Sequence, residues 1–282
     1  DEIIKVDNVS VADFKDDAAN LLQGASGSEV TVTYRRQGKT NMVKITRESL
    51  EIKAVPYYAM IGEQIGYVVL RKFNTKASSE TVRAIRALKN QGATKLILDL
   101  RGNPGGLLNE AVNVTNIFVP KNQLVVTTKS KVKKYNKTYY TKREPLDTET
   151  PLVILLDGRS ASASEIVAGA LQDMDRAVIV GTRSYGKGLV QRPKPLTYGT
   201  QMKITISRYY TPSGRCIQAL DYWNRDEEGR ATRVKKENYN TFKTRSGRDV
   251  YDGGGIEPDI EVDNAKHTPI TKAILNKNLM EK

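Results

Sequence analysis

Ser162, Lys187 and Gln191 are the residues of this chain whose types and spacing could make and break an acyl bond. A serine hydroxyl is a poor nucleophile until a base removes its proton, and the usual base is histidine. The only histidine here is His267, in a polar tail beside Thr268-Pro269. A Ser-His-Asp site would therefore rest on the least anchored segment, and Gly-x-Ser-x-Gly does not surround Ser162. Lysine is the other base within reach of the pattern, held in Tyr185-Gly-Lys-Gly188 where two glycines let the backbone turn tightly. An amine with a reference value of about 10.4 works near neutrality only where desolvation brings it down by about 3 pH units, a cost of about 4 kcal/mol. Gln191 is suited to fixing the amine's direction: in an extended Gly188-Leu-Val-Gln segment, positions 187 and 191 face the same way, and Pro193 blocks a helix beyond.

Each residue also has an ordinary role. Ser162-Ala-Ser-Glu165 is a capping box before an apolar run, and a lysine in a glycine loop is commonly just solvated. The elements around them decide what the set means. Leu152 to Leu156 reads as a buried parallel strand, and Ile166, Val167, Ala170 and Leu171 share one helix face. Ser162 thus lies between a strand end and a helix N-terminus, where free amides and the positive end of the helix dipole point. A further strand, Ala177-Val-Ile-Val180, leads into the lysine loop.

Upstream, Ile65 to Phe73 reads as a strand, Ser78 to Asn90 as a helix with Val82, Ile85 and Leu88 inward and Gly92 as its stop, and Lys95 to Leu100 as the next buried strand. Strand, helix, strand is a βαβ unit, so the sheet is at least partly parallel. The loop Arg101-Gly-Asn-Pro-Gly-Gly106 then enters a helix bearing Leu107, Leu108, Ala111, Val112 and Val114. Its glycines would explain a tight connection alone. They also leave the amides of Gly105 and Gly106 unshielded, and either could join the Ala163 amide as an oxyanion hole.

Residues 1–50 read as a compact βαββ module: a strand at Ile3, Ile4 and Val6, a helix with Phe14, Ala18, Leu21 and Leu22 on one face, and strands Val30–Arg35 and Met42–Thr46 about Gln37-Gly38, with one strand edge left exposed. Residues 51–64 read as a connection, Gln123 to Tyr140 as strands with a basic hairpin, and Gln201 to Tyr210 as an alternating strand. Residues 219–250 read as a surface insertion in the 51–263 domain, Gly253-Gly-Gly255 as a loop, and 264–282 as a tail with a short amphipathic helix over Thr271–Leu279.

Five blocks now stand in order: Asp99-Leu-Arg-Gly-Asn-Pro-Gly-Gly106, Ser160-Ala-Ser-Ala-Ser-Glu165, Tyr185-Gly-Lys-Gly188, Arg208-Tyr-Tyr-Thr-Pro-Ser-Gly-Arg215 and Gly255-Ile-Glu-Pro-Asp259. Together they resemble the C-terminal processing (tail-specific) serine peptidases, from about residue 50 to residue 263. The resemblance implies an α/β catalytic domain of the crotonase-like (ClpP/crotonase) type, with 1–50 similar to the C-terminal half of a PDZ domain. It implies Ser162 as nucleophile, Lys187 as general base and Gln191 as orienter. The implied reaction is amide hydrolysis through an acyl-enzyme, with no metal or cofactor, on protein C-terminal regions, in a periplasmic or otherwise exported enzyme. A PDZ groove's carboxylate loop would lie before Asp1, so the chain as given is expected not to discriminate a terminal carboxylate from its amide.

Composition bounds the alternatives. The chain has 282 residues with ordinary charged and apolar content, one cysteine (Cys216) that excludes an intrachain disulfide, and no apolar run near the ~20 residues of a membrane span. The net charge of +13 is partly local: Lys129 to Arg143 holds seven basic and no acidic side chains with Tyr135, Tyr139 and Tyr140 interleaved. A solvated hairpin explains this stretch, peripheral membrane association is the alternative, and nucleic acid is not expected. A rival class reads Gly181-x4-Gly186-Lys187 as a phosphate loop, but Gly188 stands where a metal-holding Ser or Thr belongs and Leu189 to Pro195 is a poor helix. A third reading keeps the fold as a non-catalytic peptide-binding scaffold.

Overall fold

A computed structural model describes residues 1–14, 18–49, 52–262 and 268–276, in two compact units, Asp1–Ile52 and Lys53–Lys282. The first unit is an antiparallel sheet of β1 (Glu2–Val6), β2 (Val9–Ser10), β3 (Glu29–Arg36) and β4 (Lys39–Thr46), ordered β2-β1-β3-β4. Gln37 and Gly38 both take positive φ (48° and 77°), so the β3–β4 turn has the backbone that matches strand twist. Val6, Val30 and Val32 are buried, while β4 is an edge strand exposed throughout. Where the sequence suggests a helix bearing Phe14 to Leu22, the described part is one 3₁₀ turn, Ala18–Leu22; residues 15–17 lie outside the described ones. Arg47 explains the stop, because its guanidinium donates to the Leu22 carbonyl at 2.8 Å, an acceptor a continuing helix would need.

The second unit opens with β5 (Tyr57–Ile61), inside the segment read as a connection. It pairs with β6 (Ile65–Val69) in full register, which the short apolar run Tyr57-Tyr-Ala-Met-Ile61 permits. Then follow α1 (Ala77–Asn90), β7 (Lys95–Asp99), α2 (Leu108–Phe118), β8 (Leu124–Lys129) and β9 (Lys137–Tyr140). Next come β10 (Leu152–Leu156), α3 (Ala163–Asp173), β11 (Val178–Gly181), β12 (Leu189–Pro195) and β13 (Gln201–Tyr210). The expected strand Ile65–Phe73 ends at Val69, and Phe73 instead makes an isolated parallel bridge to Gly106.

The central sheet is ordered β18-β11-β10-β7-β6-β5, parallel except for β5, where β18 is Ile260–Glu261. Its register aligns Leu155 with Asp99 and Leu156 with Gly181, so the loops after β7, β10 and β11 leave from one edge. Every residue of α3 is buried, and its apolar residues share one core cluster with Ile154, Leu156 and Ile179, all fully buried. A second, antiparallel sheet, β12-β13-β8-β9, contains the basic hairpin and leaves β12 as an edge strand, where Pro193 and Pro195 forfeit no ladder bonds on the open side.

Residues 219–250, read from the sequence as a surface insertion without a stable period, carry regular structure. They form two hairpins, β14 (Leu220–Arg225) with β15 (Ala231–Arg233) and β16 (Thr241–Lys243) with β17 (Asp249–Tyr251). The second is anchored because Val250 and Thr244 are buried and Arg215, fully buried itself, donates to the Tyr251 carbonyl. A polar composition hid this, since apart from Val250 the anchoring contacts are polar, including ion pairs from Arg248 to Asp175 and Asp259. In the tail, α4 is described over Pro269–Asn276; His267 and residues 277–282 lie outside the described residues.

Candidate active site

Ser162 stands at the N-cap of α3 with φ 57° and ψ −111°, a left-handed backbone that a residue with a Cβ adopts only when its surroundings enforce it. The enforcing contacts can be named. The Asp157 carboxylate, at the end of β10, accepts the amides of Gly102 (2.8 Å), Arg159 and Ser160 (both 3.0 Å). Ser160 Oγ donates to the Leu100 carbonyl at 2.8 Å, and the Ala161 amide donates to the Asn103 carbonyl at 3.0 Å. Burial alone would push the Asp157 carboxyl up; the amides of Gly102 and Arg159 and the charge of Arg159 outweigh it and hold the group below the usual carboxylate value. It therefore stays an acceptor, and the turn is welded to the glycine loop.

That loop begins at a second buried carboxylate, Asp99, which accepts Arg101 Nη2 at 2.7 Å and the Tyr67 hydroxyl at 2.6 Å. Further along, Asn103 is fully buried; its Nδ2 donates to the Leu70 carbonyl at 2.7 Å and its Oδ1 accepts the Gly105 amide at 2.9 Å. The Gly105 amide is thus spent within the loop, while those of Gly106 and Ala163 have no partner among the described residues. Gly105 (φ +97°) must be glycine: a Cβ there would lie 2.7 Å from the Ala161 carbonyl oxygen and 2.8 Å from Ala163 N. The glycine loop is pressed against the serine turn, and the two free amides fit the pair of donors that an oxyanion needs.

Glu165 makes the glutamate half of the expected cap, with Ser162 N–H donating to Oε2 at 2.8 Å. It does more than cap. The same Oε2 accepts the Lys187 amide at 2.9 Å, and Oε1 accepts the Gly186 amide at 2.7 Å and the Ser184 hydroxyl at 2.5 Å. One fully buried carboxylate therefore ties the start of the serine helix to the lysine loop. Burial pushes its pKa up, and four donors aimed at it work in the opposite sense without cancelling the rise. Ser184 passes the connection on, its hydroxyl accepting the Ile256 amide at 2.7 Å, so the Gly255-Ile-Glu-Pro-Asp259 block supports the lysine loop from behind.

Tyr209, on β13, completes the scaffold. Its buried hydroxyl donates to the Lys187 carbonyl and meets the Ser162 side chain. Burial, then the negative charge of Glu165, raises the phenol well above its ordinary value, so it remains a donor. Lys187 is partly buried and Gln191 exposed, and both line one cleft of about 440 Å³ with Pro104, Ala161, Tyr185 and Gln218. A register shift between Val190 and Gln191 interrupts the simple alternation of β12, yet the two side chains still share that cleft. No hydrogen bond joins Ser162 Oγ to Lys187 Nζ, or Lys187 Nζ to Gln191, among the described residues. The backbones of Ser162 and Lys187 are thus tied together through Glu165, while among the described residues their side chains are not hydrogen-bonded to each other.

Ser162, Ala163, Lys187, Gln191 and the Gly105-Gly106 pair are the candidates that the sequence singles out; Lys187 and Gln191 line one cleft, and the Ser162 and Lys187 amides meet on Glu165. Sequence reasoning missed the bridging role of Glu165 and all of Asp157, Asn103 and Tyr209. Asp157 and Glu165 carried a signal as acids flanking the serine turn; Asn103 and Tyr209 fall inside the blocks Asp99–Gly106 and Arg208–Arg215, but nothing in those blocks assigns either residue its contact. The chain after Lys187 is β12, not a helix, so the geometry of a phosphate loop is not present. Among the described residues no three His, Cys, Asp or Glu side chains are placed to share a metal ion.

Residues 64–222 match the profile of peptidase family S41. The chain belongs to this family. It is 40% identical over 227 residues to a carboxy-terminal-processing protease of Bartonella bacilliformis, covering 78% of this chain and 52% of that protein. It is 34% identical over 236 residues to a chloroplastic C-terminal processing peptidase of Tetradesmus obliquus, covering 78% and 50%. The chain spans about half the length of the curated relatives it matches. Among solved structures, the photosystem II D1 C-terminal processing protease aligns with a TM-score of 0.58 at 29% identity, over 93% of this chain and 62% of that one.

Proposed function

We propose that this S41 chain is a serine endopeptidase that cleaves protein C-terminal regions through an acyl-enzyme on Ser162. Lys187, as the free amine, takes the hydroxyl proton while Oγ attacks the scissile carbonyl carbon. The resulting oxyanion is received by the Ala163 and Gly106 amides. Collapse of the tetrahedral species breaks the C–N bond, and the Lys187 ammonium gives its proton to the leaving amine. Water, deprotonated by the same lysine, then attacks the ester carbonyl; the C–Oγ bond breaks, the acid product leaves, and the Lys187 ammonium returns its proton to Ser162 Oγ. Gln191 orients the amine from its side of the cleft. The finer fold reading, a crotonase-like catalytic domain over residues 51–263 preceded by a partial PDZ-like module over 1–50, belongs to the same proposal. So do the partners, protein or peptide substrates engaged near their C-termini, and an exported location; no helix among the described residues is long and apolar enough to cross a membrane.

The observation that carries the reading is the Glu165 carboxylate, which accepts both the Ser162 and Lys187 amides on one oxygen and so holds nucleophile and base backbones at a single point. The test is rapid quenching with an activated ester of a short peptide, followed by intact mass and peptide mapping. The expected result is one acyl adduct on the segment containing Ser162, absent from Ser162→Ala. Hydrolysis without an adduct, retained in Ser162→Ala, would reject the mechanism, and a chain that binds peptide without any turnover would be the scaffold.

A further inference from the structure

Gln191 belongs to two cavities. Besides the cleft with Lys187, it lines a cavity of about 370 Å³ between the basic hairpin, the β12–β13 ribbon and the first residue of α2. Lys134, Lys137 and Arg192 line this second cavity with Leu108 and Tyr139, and no carboxylate does. The three cations have no ion-pair partner among the described residues, whereas Lys121, elsewhere on the basic stretch's flank, is paired with Glu144. Lys134 is held with its ammonium 5.2 Å from the Tyr135 ring centroid, over an apolar surface. Lys134, Lys137 and Arg192 are exposed residues around one concavity; like charges gathered there repel one another, and an anion entering it relieves that repulsion.

The cavity's place says which anion. Leu108 is two residues beyond Gly106, whose amide is assigned above to the oxyanion, and two residues of chain span at most about 7 Å. An extended peptide lying across the site advances about 3.3 Å per residue, so its group two or three positions from the scissile bond reaches this wall. We propose that this cavity is a subsite for a carboxylate on the substrate peptide, either its C-terminal carboxylate or an Asp or Glu side chain, bound by Lys134, Lys137 and Arg192. This rests on the peptidase reading. A concave site continuous with the cleft through Gln191 favours a peptide over a lipid surface, which would need a convex or flat basic face.

The experiment has three arms. In the first, kcat/KM is measured on a panel in which one Glu is stepped through the three positions on each side of the scissile bond, each with a Gln counterpart, together with a terminal acid and amide pair. The expected result is a preference of about tenfold for the acid at one register, reduced by raising salt to about 0.5 M and lost in Lys134→Gln/Lys137→Gln/Arg192→Gln, with the matched neutral peptide changed less than about twofold. Whether the terminal acid or Glu shows it identifies the carboxylate's source, and a terminal-acid preference would overturn the expectation that this chain does not discriminate a terminal carboxylate from its amide. No preference at any register, or one that survives the triple substitution, overturns the proposal. In the second arm, equilibrium binding of the same acid and neutral peptides to Ser162→Ala separates the two readings: charge-selective binding without hydrolysis in the parent enzyme loses the peptidase reading and keeps the subsite, whereas hydrolysis without charge selectivity loses only the subsite. In the third, sedimentation with phosphatidylserine vesicles that depends on these three residues while peptides show no preference assigns them to a membrane surface and rejects the subsite.

Discussion

Replacing Glu165 by glutamine changes one atom and no volume, and the structure says what that atom was doing. The carboxylate accepts four donors, two on each oxygen: Ser162 and Lys187 amides on Oε2, the Ser184 hydroxyl and Gly186 amide on Oε1. A glutamine has one acceptor oxygen, and its NH2 must face the other pair. The cheaper orientation turns the NH2 toward Ser184 and Gly186, since a hydroxyl can rotate to accept but an amide cannot. Gly186 N–H is then buried and unpaired, at about 1–3 kcal/mol, and the remaining bonds lose their ionic character, so about 2–4 kcal/mol in all is expected from urea unfolding. Activity should fall by at least about tenfold, since the lysine loop shifts against Ser162. A pH series adds a signed test. The folded-state pKa of Glu165 is raised above its ordinary 4.5, chiefly by burial, so the folded protein holds this proton more tightly than the unfolded chain. Its contribution to stability is fully present below about 4.5 and declines as pH rises through the raised value, and the difference between parent and Glu165→Gln must show that decline. Unchanged stability and activity in Glu165→Gln would refute the claim that this carboxylate joins the two halves of the site.

Three further substitutions test the scaffold. Gly105→Ala forces a methyl against the Ala161 carbonyl and Ala163 amide at a φ of +97°, and should lower kcat by about 100-fold with about 1–3 kcal/mol lost in urea unfolding; parental kcat would show the loop need not press on the serine turn. Tyr209→Phe removes the donor to the Lys187 carbonyl, so kcat should drop several-fold with KM little changed, and an effect on KM alone would contradict the positioning role. Arg215→Met leaves Asp173, whose side chain is 1% exposed, charged without its partner, and should cost about 3–5 kcal/mol in chemical denaturation; a neutral result would mean the buried pair is dispensable.

The sheet was legible because its strands are short apolar runs bounded by glycines, and Leu152–Leu156 and the Lys95 strand could hardly be anything else. Ser162 and Lys187 stood out as candidates because each sits at a break in such a pattern. β5 was missed since Tyr57 to Ile61 pairs as an edge strand with mixed exposure and no clean alternation. The hairpins of 219–250 were missed because most of their residues are polar and exposed, and the second is held largely by polar contacts, Arg215 to the Tyr251 carbonyl and Arg248 to Asp175 and Asp259, which periodicity does not report. Tyr209 and Asn103 act through long-range contacts to Lys187 and Leu70, which no local spacing encodes.

In the proposed mechanism a lysine, not a histidine, activates Ser162. Initial rates of peptide hydrolysis by Ser162→Ala, Lys187→Ala and His267→Ala, each with a far-ultraviolet circular dichroism spectrum matching the parent, test it directly. Loss of turnover to background in the first two, with His267→Ala near the parental rate, is the predicted result. Activity that survives Lys187→Ala, or is abolished by His267→Ala, would contradict it.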